Sequence, residues 1–325
     1  MNPAISVITP IYNVKKFIRK CAETLLTQTF EDIEFIFVDD ASTDGSIAIL
    51  ESVIHKYPNR NVKIVRHAYN QGLPASRKTG LEASTGRYVF NCDGDDWVEV
   101  SMLEKMYSAV EREGADYAYC DFYLSYEKSE RYMRCPEFVT PDEALRKGYL
   151  SGTAKYNVWN KLIKRDLYEG VVFPVENKKG GEDMIMLGIL SKAKSIAYVP
   201  EALYHYVKIN ASAISGNFSK QHAIDVKYNA DRAIQVLRDT YESSLEKEIA
   251  FFKLNVKLSF LISDDPARHA VWKSWYPEAN PYIWKNEYQS FRNKFIQWLA
   301  ARGQFWAVKL YYKIVYKVIY RILYK

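Results

Sequence analysis

The chain has 325 residues, 48% of them hydrophobic and 15% aromatic, which suits one large domain or two ordinary ones with a packed core and excludes a disordered chain. Its formal net charge of +6 is concentrated in residues 303–325, where Lys309, Lys313, Lys317, Arg321 and Lys325 stand without an acid, so nucleic-acid binding is a poor general reading. Cys21, Cys92, Cys120 and Cys135 show no CxxC or zinc spacing, and the strand-like run ISVITPIYN shows no signal-peptide pattern; a reducing cytosol is the expectation.

In chain order, apolar β-prone runs predict strands at Ile5–Thr9, Glu34–Val38, Val62–Arg66, Tyr88–Asn91 and Tyr117–Phe122. Between them Phe17, Ile18, Cys21 and Leu25, then Ile47, Leu50, Val53 and Ile54, recur at helical spacing. Alternation of this kind predicts an α/β fold with a parallel sheet covered by helices. From about residue 125 the regularity fades. A Gly-Gly-Glu-Asp start at residues 180–183 opens an apolar-periodic helix, residues 219–263 read as long helices, and residues 264–302 are rich in Trp and Tyr with interrupting prolines. No 18-residue uncharged run capable of spanning a membrane is present.

Ligands of parallel α/β sheets bind at the carboxyl ends of the strands. Polar clusters recur there: Thr9-Pro10-Ile11-Tyr12-Asn13, Asp39-Asp40-Ala41-Ser42, and the knot Asp93-Gly94-Asp95-Asp96 after the strand RYVFN. Three carboxylates within four positions repel one another, so the knot is either a solvated acidic turn or a group compensated by a cation or hydrogen-bond donors. There is no GxGxxG after the first strand, no GxxxxGK[ST], no GxSxG and no HExxH, which sets aside dinucleotide, P-loop, serine-hydrolase and zincin readings.

The ordered series Thr9-Pro10-Ile11-Tyr12-Asn13, Val38-Asp39-Asp40-Ala41-Ser42-Thr43-Asp44-Gly45-Ser46, Asn70-Gln71-Gly72-Leu73 leading to Arg77, Gly86-Arg87-Tyr88, Asp93-Gly94-Asp95-Asp96 and Glu182-Asp183 resembles the inverting GT-A glycosyltransferases of family 2 of the bacterial surface-polysaccharide type, over roughly residues 4–215. The resemblance implies a GT-A (Rossmann-like), mostly parallel sheet flanked by helices with a helical C-terminal extension. The expected division is a nucleotide-sugar-binding catalytic domain at 1–215, a helical extension at 216–302 and a basic amphipathic helix at 303–325.

The resemblance also implies residue roles. Pro10, Tyr12 and Asp40 would form the base pocket, with Asp40 accepting from the uracil N3–H. Arg77 would face the nucleotide and Asp93 the ribose. Asp95, with Asp96, would hold Mg²⁺ or Mn²⁺ on the diphosphate. Asp183 would be the general base. The rivals are a packed turn aromatic for Tyr12, a surface arginine for Arg77, and acids that merely complement a helix dipole for Glu182-Asp183. Asp39 and Asp44 read equally as turn and cap residues. His205 and Lys208 could neutralise the diphosphate or be structural. Family members often carry Asn where this chain has Lys78, and the QxxRW of processive synthases is missing.

The expected function is therefore non-processive, inverting transfer of one sugar from a nucleotide-sugar, a UDP-sugar, to a hydroxyl of a lipid-linked or other glycan acceptor. Residues 304–325, with cations at every fourth position, would rest on the anionic inner face of the cell membrane; packing against the domain or a partner helix is the rival. The rival is a non-catalytic, membrane-associated binding module on the same fold.

Overall fold

The computed structural model describes residues 2–173, 181–209 and 219–315. The chain divides into two compact units, one of Met1–Asp142 with Tyr156–Asn229 and one of Glu143–Lys155 with Ala230–Lys325.

The first unit runs β1 (Ile5–Ile11), α1 (Ile18–Leu26), β2 (Ile33–Asp39), α2 (Ser46–Ile54), β3 (Asn61–Arg66), α3 (Leu73–Ala83), β4 (Tyr88–Asn91), β5 (Trp97–Val98), α4 (Met102–Glu113), β6 (Tyr117–Ser125) and β7 (Glu130–Met133). After a short helix α5 (Pro141–Glu143) come β8 (Lys161–Lys164), α6 (Glu182–Leu190) and β9 (Ile196–Val207). The nine-stranded sheet has the order β3-β2-β1-β4-β8-β6-β9-β5, with β7 on β6. Strands β3, β2, β1 and β4 are mutually parallel, while β8 runs antiparallel to both β4 and β6.

The apolar pattern explains this half directly. In α1 the buried Ile18, Cys21, Ala22, Leu25 and Leu26 form one stripe. That stripe packs with Val7 and Ile11 of β1, Phe35 and Phe37 of β2, Phe90 of β4 and the inward residues of α4 in one core. Helix α3 contacts β1 and β2. Its approach to β1 is close: a Cβ added to Gly80 would lie 2.3 Å from Cγ2 of Ile8.

The five strands predicted are all present, β4 with the same bounds and the others extended by one to three residues. The strands β5, β7, β8 and β9 were not anticipated. Three of them are four residues or fewer, too short for a period to show. The fourth contains Pro200, and its pairing jumps from Cys120↔Val199 to Asp121↔Ala202, so Pro200 and Glu201 sit in an irregularity where no ladder donor is needed.

The second unit is helical. Helix α7 (Lys220–Tyr241) leads into it and is followed by α8 (Glu246–Leu258), α9 (Pro266–Ser274), a 3₁₀ stretch (Pro277–Lys285), α10 (Phe291–Ala301) and α11 (Phe305–Tyr312). Buried Lys257 ties it together, its Nζ donating to the carbonyls of Trp275 and Tyr276 and to Oδ1 of Asn280. Among the described residues no helix is long and apolar enough to cross a membrane.

Because α3 carries Arg77 three residues before Gly80, the close approach at Gly80 fixes the arginine's height over the sheet. Gly80→Ala is expected to cost about 1–3 kcal/mol by overpacking against Ile8. Urea unfolding checks this, and an unchanged midpoint would mean that α3 can lift without loss.

Candidate active site

Parallel registers Ile11↔Asp39 and Ile8↔Asn91 bring the carboxyl ends of β2, β1 and β4 to one edge. The order 3-2-1-4 reverses direction between β1 and β4, the place where an open α/β sheet leaves a crevice. The segments leaving these two strands are tightly apposed: a Cβ on Gly94 would lie 2.7 Å from the Pro10 carbonyl oxygen, so only glycine lets the acidic turn close on β1.

The β1 and β2 ends are laced to each other. Asn13 (φ 51°) and Ala41 (φ 61°) adopt the left-handed conformation that non-glycine residues seldom take. Asn13 Oδ1 accepts from the Thr43 amide at 2.9 Å, Val14 N–H donates to Ser46 Oγ at 2.9 Å, and Lys15 N–H donates to Asp44 Oδ2 at 2.9 Å. Asp44 also accepts from the Ser46 amide at the start of α2, and Asp39 accepts from the Ser42 amide. Both acids are thus turn residues. Pro10 is buried within β1, and Tyr12, 49% exposed, stands at the rim.

Asp40 is buried and already engaged. Its Oδ1 accepts from His67 Nδ1 at 2.7 Å and the Gln71 amide at 2.8 Å, and its Oδ2 from the Gly72 amide at 2.8 Å. A carboxylate accepts about four hydrogen bonds, so the uracil contact expected of Asp40 would have one remaining position. His67 Nε2 meets Thr79 Oγ1 at 2.9 Å, which joins this carboxylate to α3.

Arg77, 3% exposed, brings the distant parts together. Its Nη2 donates to Asp93 Oδ1 at 2.8 Å and its Nη1 to Glu182 Oε1 at 2.5 Å. Burial opposes the guanidinium charge, but Asp93 and Glu182 more than offset it and hold the pKa above its ordinary value. Asp183 is the second residue of α6, directly after Glu182; its side chain lies outside the described residues.

Asp95 is half-buried on the acidic turn. Asp96, expected beside it as a metal ligand, is instead turned inward and only 1% exposed. Its Oδ2 accepts from the Tyr204 hydroxyl at 2.6 Å and its Oδ1 from the Val207 amide at 2.7 Å. Burial, reinforced by the charges of Asp95 and Asp93, pushes its carboxyl well above the usual range despite those two donors. Tyr204 also accepts from the Asp93 amide at 3.2 Å, so this one hydroxyl braces both ends of the turn.

His205 is structural: its ring stacks on Trp97, and its nitrogens meet Glu130 and Glu99, each at 2.9 Å. Lys208 places its Nζ 4.2 Å from the Tyr206 ring. His67 went unread in the sequence, and Tyr204 and Trp159, which flank Glu182-Asp183 in the family pattern, carried no assigned role; the Trp159 ring stacks against Tyr204 and Tyr206. The sequence did not reveal that Lys161, from β8, is buried and bonded to Asn157 O and Asn160 Oδ1. Burial pushes that ammonium down to about 8, against the charges of Cys135 and Glu182.

A family model for glycosyl transferase family 2 matches residues 6–181. The chain belongs to glycosyltransferase family 2. It is 33% identical over 227 residues to the putative glycosyltransferase EpsH and 32% identical over 217 residues to the uncharacterized glycosyltransferase EpsJ, both of Bacillus subtilis (strain 168). These alignments take in 67% and 63% of this chain and 64% and 61% of the relatives, so the chain spans less than two thirds of their length. In fold it is similar to the crystal structure of S. aureus TarS 1-349 in complex with UDP-GlcNAc, with a TM-score of 0.69 at 19% identity, covering 96% of this chain and 92% of that one. The mannosyltransferase PcManGT of Pyrobaculum calidifontis, in complex with GDP-Man and Mn²⁺, gives a TM-score of 0.51 at 16% identity over 94% of this chain and 88% of its own. The family 2 GT-A fold expected from the residue series is therefore present, with its parallel half at β3-β2-β1-β4.

The Tyr204–Asp96 bond makes a pH-dependent statement. A carboxyl whose folded pKa lies above its unfolded value adds stability that is complete below the unfolded pKa and is lost as pH rises through the folded one. Tyr204→Phe removes a donor that favours the ionised form and so raises the folded pKa further while leaving the unfolded one unchanged; the variant's deficit is expected to be constant at low pH and to grow, by roughly 1–3 kcal/mol, only as pH rises through the parent's raised folded pKa. Urea unfolding across pH measures it; a deficit constant with pH would remove Asp96 ionisation from the account.

Proposed function

We propose that this chain is a non-processive, inverting glycosyltransferase that moves one sugar from a nucleotide-sugar, a UDP-sugar, to a hydroxyl of a lipid-linked or other glycan acceptor in surface-polysaccharide synthesis. The observation that carries this reading is the Arg77 bridge, which sets the first residues of α6 beside the acidic turn at the β1/β4 crevice. On this reading Pro10, Tyr12, Asp40 and Asp93 serve the donor side, and the base is Asp183, the residue after Glu182 at the start of α6. The B. subtilis relatives favour a glycosyltransferase, and the UDP-GlcNAc complex of TarS, similar in fold, favours a UDP-sugar as donor.

In the proposed reaction the acceptor hydroxyl oxygen forms a bond to the anomeric carbon while the bond from that carbon to the diphosphate oxygen breaks, with inversion. Asp183 takes the hydroxyl proton. Asp93, held by Arg77, orients the ribose. Asp40, clamped by His67 and the Gln71 and Gly72 amides, presents its remaining acceptor position to the base.

The donor set fits a hard divalent cation. Among the described residues no three His, Cys, Asp or Glu side chains converge on one point, and Asp95 is an oxygen donor at the crevice. A cation bound through one carboxylate, with diphosphate oxygens and water completing its shell, is the ordinary mode for Mg²⁺ or Mn²⁺. Asp95 would hold it, with Asp96 bracing the turn from behind; when bound, the cation supplies charge neutralisation of the leaving group. We further propose that residues 304–325 hold the protein peripherally on an anionic membrane at the cytoplasmic face; of these, 316–325 lie outside the described residues.

Asp95→Ala is expected to abolish transfer and the Mn²⁺ dependence of UDP binding, checked by calorimetry with and without the metal. Equal UDP affinity under both conditions in the parent protein would contradict the metal assignment. Asp183→Asn keeps size and removes the proton acceptor, so kcat should fall by roughly 10²–10⁴ with donor affinity and melting temperature nearly unchanged. Near-normal turnover in the folded variant would remove Asp183 as the base.

A further inference from the structure

Helix α10 has two apolar faces. Ile296 and Ala300 are buried on one. On the other, Phe291 is 70% exposed, and Phe295 and Trp298 follow at the fourth and seventh positions beyond it. The rings form a ladder: Phe291 to Phe295 at 5.9 Å and 10°, Phe295 to Trp298 at 5.7 Å and 19°. Trp284, from the 3₁₀ stretch, joins it 5.8 Å from Phe291 and 6.5 Å from Trp298. Scattered surface aromatics need no explanation, but a contiguous ladder marks an interaction surface.

The charges around the ladder indicate its occupant. Arg302 lies 4.0 Å from the Trp298 ring, and Lys294 lies 5.9 Å from that of Trp284. From Tyr288 to the end of the chain there is no Asp or Glu, while Arg292, Lys294, Arg302, Lys309 and Lys313 fall within the described part. The exposed Trp306 and Leu310 of α11, and Ile314 just past it, repeat the mixture of apolar and basic residues.

We propose that the Trp284–Phe291–Phe295–Trp298 ladder is a bilayer-facing surface, whose rings enter the headgroup region of an anionic membrane while Lys294 and Arg302 meet lipid phosphates. Tryptophan's apolar body with a polar edge suits that depth; Arg302 is exposed beside its ring, and Lys294, half-buried with its Nζ also donating to the Asn286 carbonyl at 3.2 Å, adds a second cation at the rim. A glycan platform would set carboxylates that accept from sugar hydroxyls along the rings; α10 has none, and the acid that precedes it, Glu287, stands ahead of Phe291. A second copy of the same face would oppose cation to cation. The proposal rests on the membrane reading above for the choice of partner, but it concerns different residues and adds an apolar anchor to an electrostatic one.

The test uses the full chain and phosphatidylcholine vesicles with and without phosphatidylglycerol, followed by sedimentation. Phe291→Ser with Phe295→Ser, both exposed positions, is expected to weaken binding to the anionic vesicles at least about tenfold at low salt. Lys294→Glu with Arg302→Glu, which keeps the rings, is expected to weaken it comparably. A tail variant, Lys317→Glu with Arg321→Glu and Lys325→Glu, separates the two readings. Loss in the tail variant with parent-like binding in both ladder pairs overturns the ladder and leaves the tail, whereas a parent that ignores the vesicles overturns both. Self-association of the parent abolished by the serine pair, or polysaccharide binding lost in its place, would overturn the bilayer assignment.

Discussion

One buried guanidinium holds the site together. Arg77 has almost no contact with solvent, and it spends its two terminal nitrogens on carboxylates that lie 16 residues after it and 105 residues after it. Removing both carboxylates would leave the guanidinium unpaired in a poorly solvated place, so the two are coupled through the arginine they share. The consequence is positional: the turn at the end of β4 and the start of α6, which no local pattern connects, are joined through one side chain.

The same economy of charge explains how a strand can end in three aspartates. Asp93 is paired with Arg77, and Asp96 is withdrawn from water onto a tyrosine hydroxyl and a backbone amide. Asp95 is left on the turn as the carboxylate at the crevice. The knot is thus neither a solvated acidic loop nor three equivalent ligands. It has one structural anchor facing inward, one member tied to the arginine, and one half-buried on the turn between them.

The parallel half of the sheet was legible because burial on both faces makes β1, β2 and β4 near-continuous apolar runs, and because β1 and β2 are each followed by a helix with a clear period. The turn roles of Asp39 and Asp44 were legible for the same local reason. The rest depends on distance in sequence. Nothing near Asp96 announces Tyr204, which lies 108 residues away, and nothing near Asp40 announces that His67 and two amides will surround it. Lys161 resembles an ordinary strand lysine until β8 is placed between β4 and β6. Short antiparallel strands and side chains that converge from separate elements are settled by packing, and a linear pattern carries no trace of either.

The account stands on the claim that Asp93 and Glu182 share one arginine. The direct measurement is a double-mutant cycle in urea unfolding with Asp93→Asn, Glu182→Gln and the pair together. Each single change leaves Arg77 one charged partner, whereas the double change leaves a buried guanidinium with none, so the account predicts a combined loss exceeding the sum by at least about 1 kcal/mol. Losses that add to within about 0.3–0.5 kcal/mol would contradict it, because two carboxylates that do not share a partner behave independently.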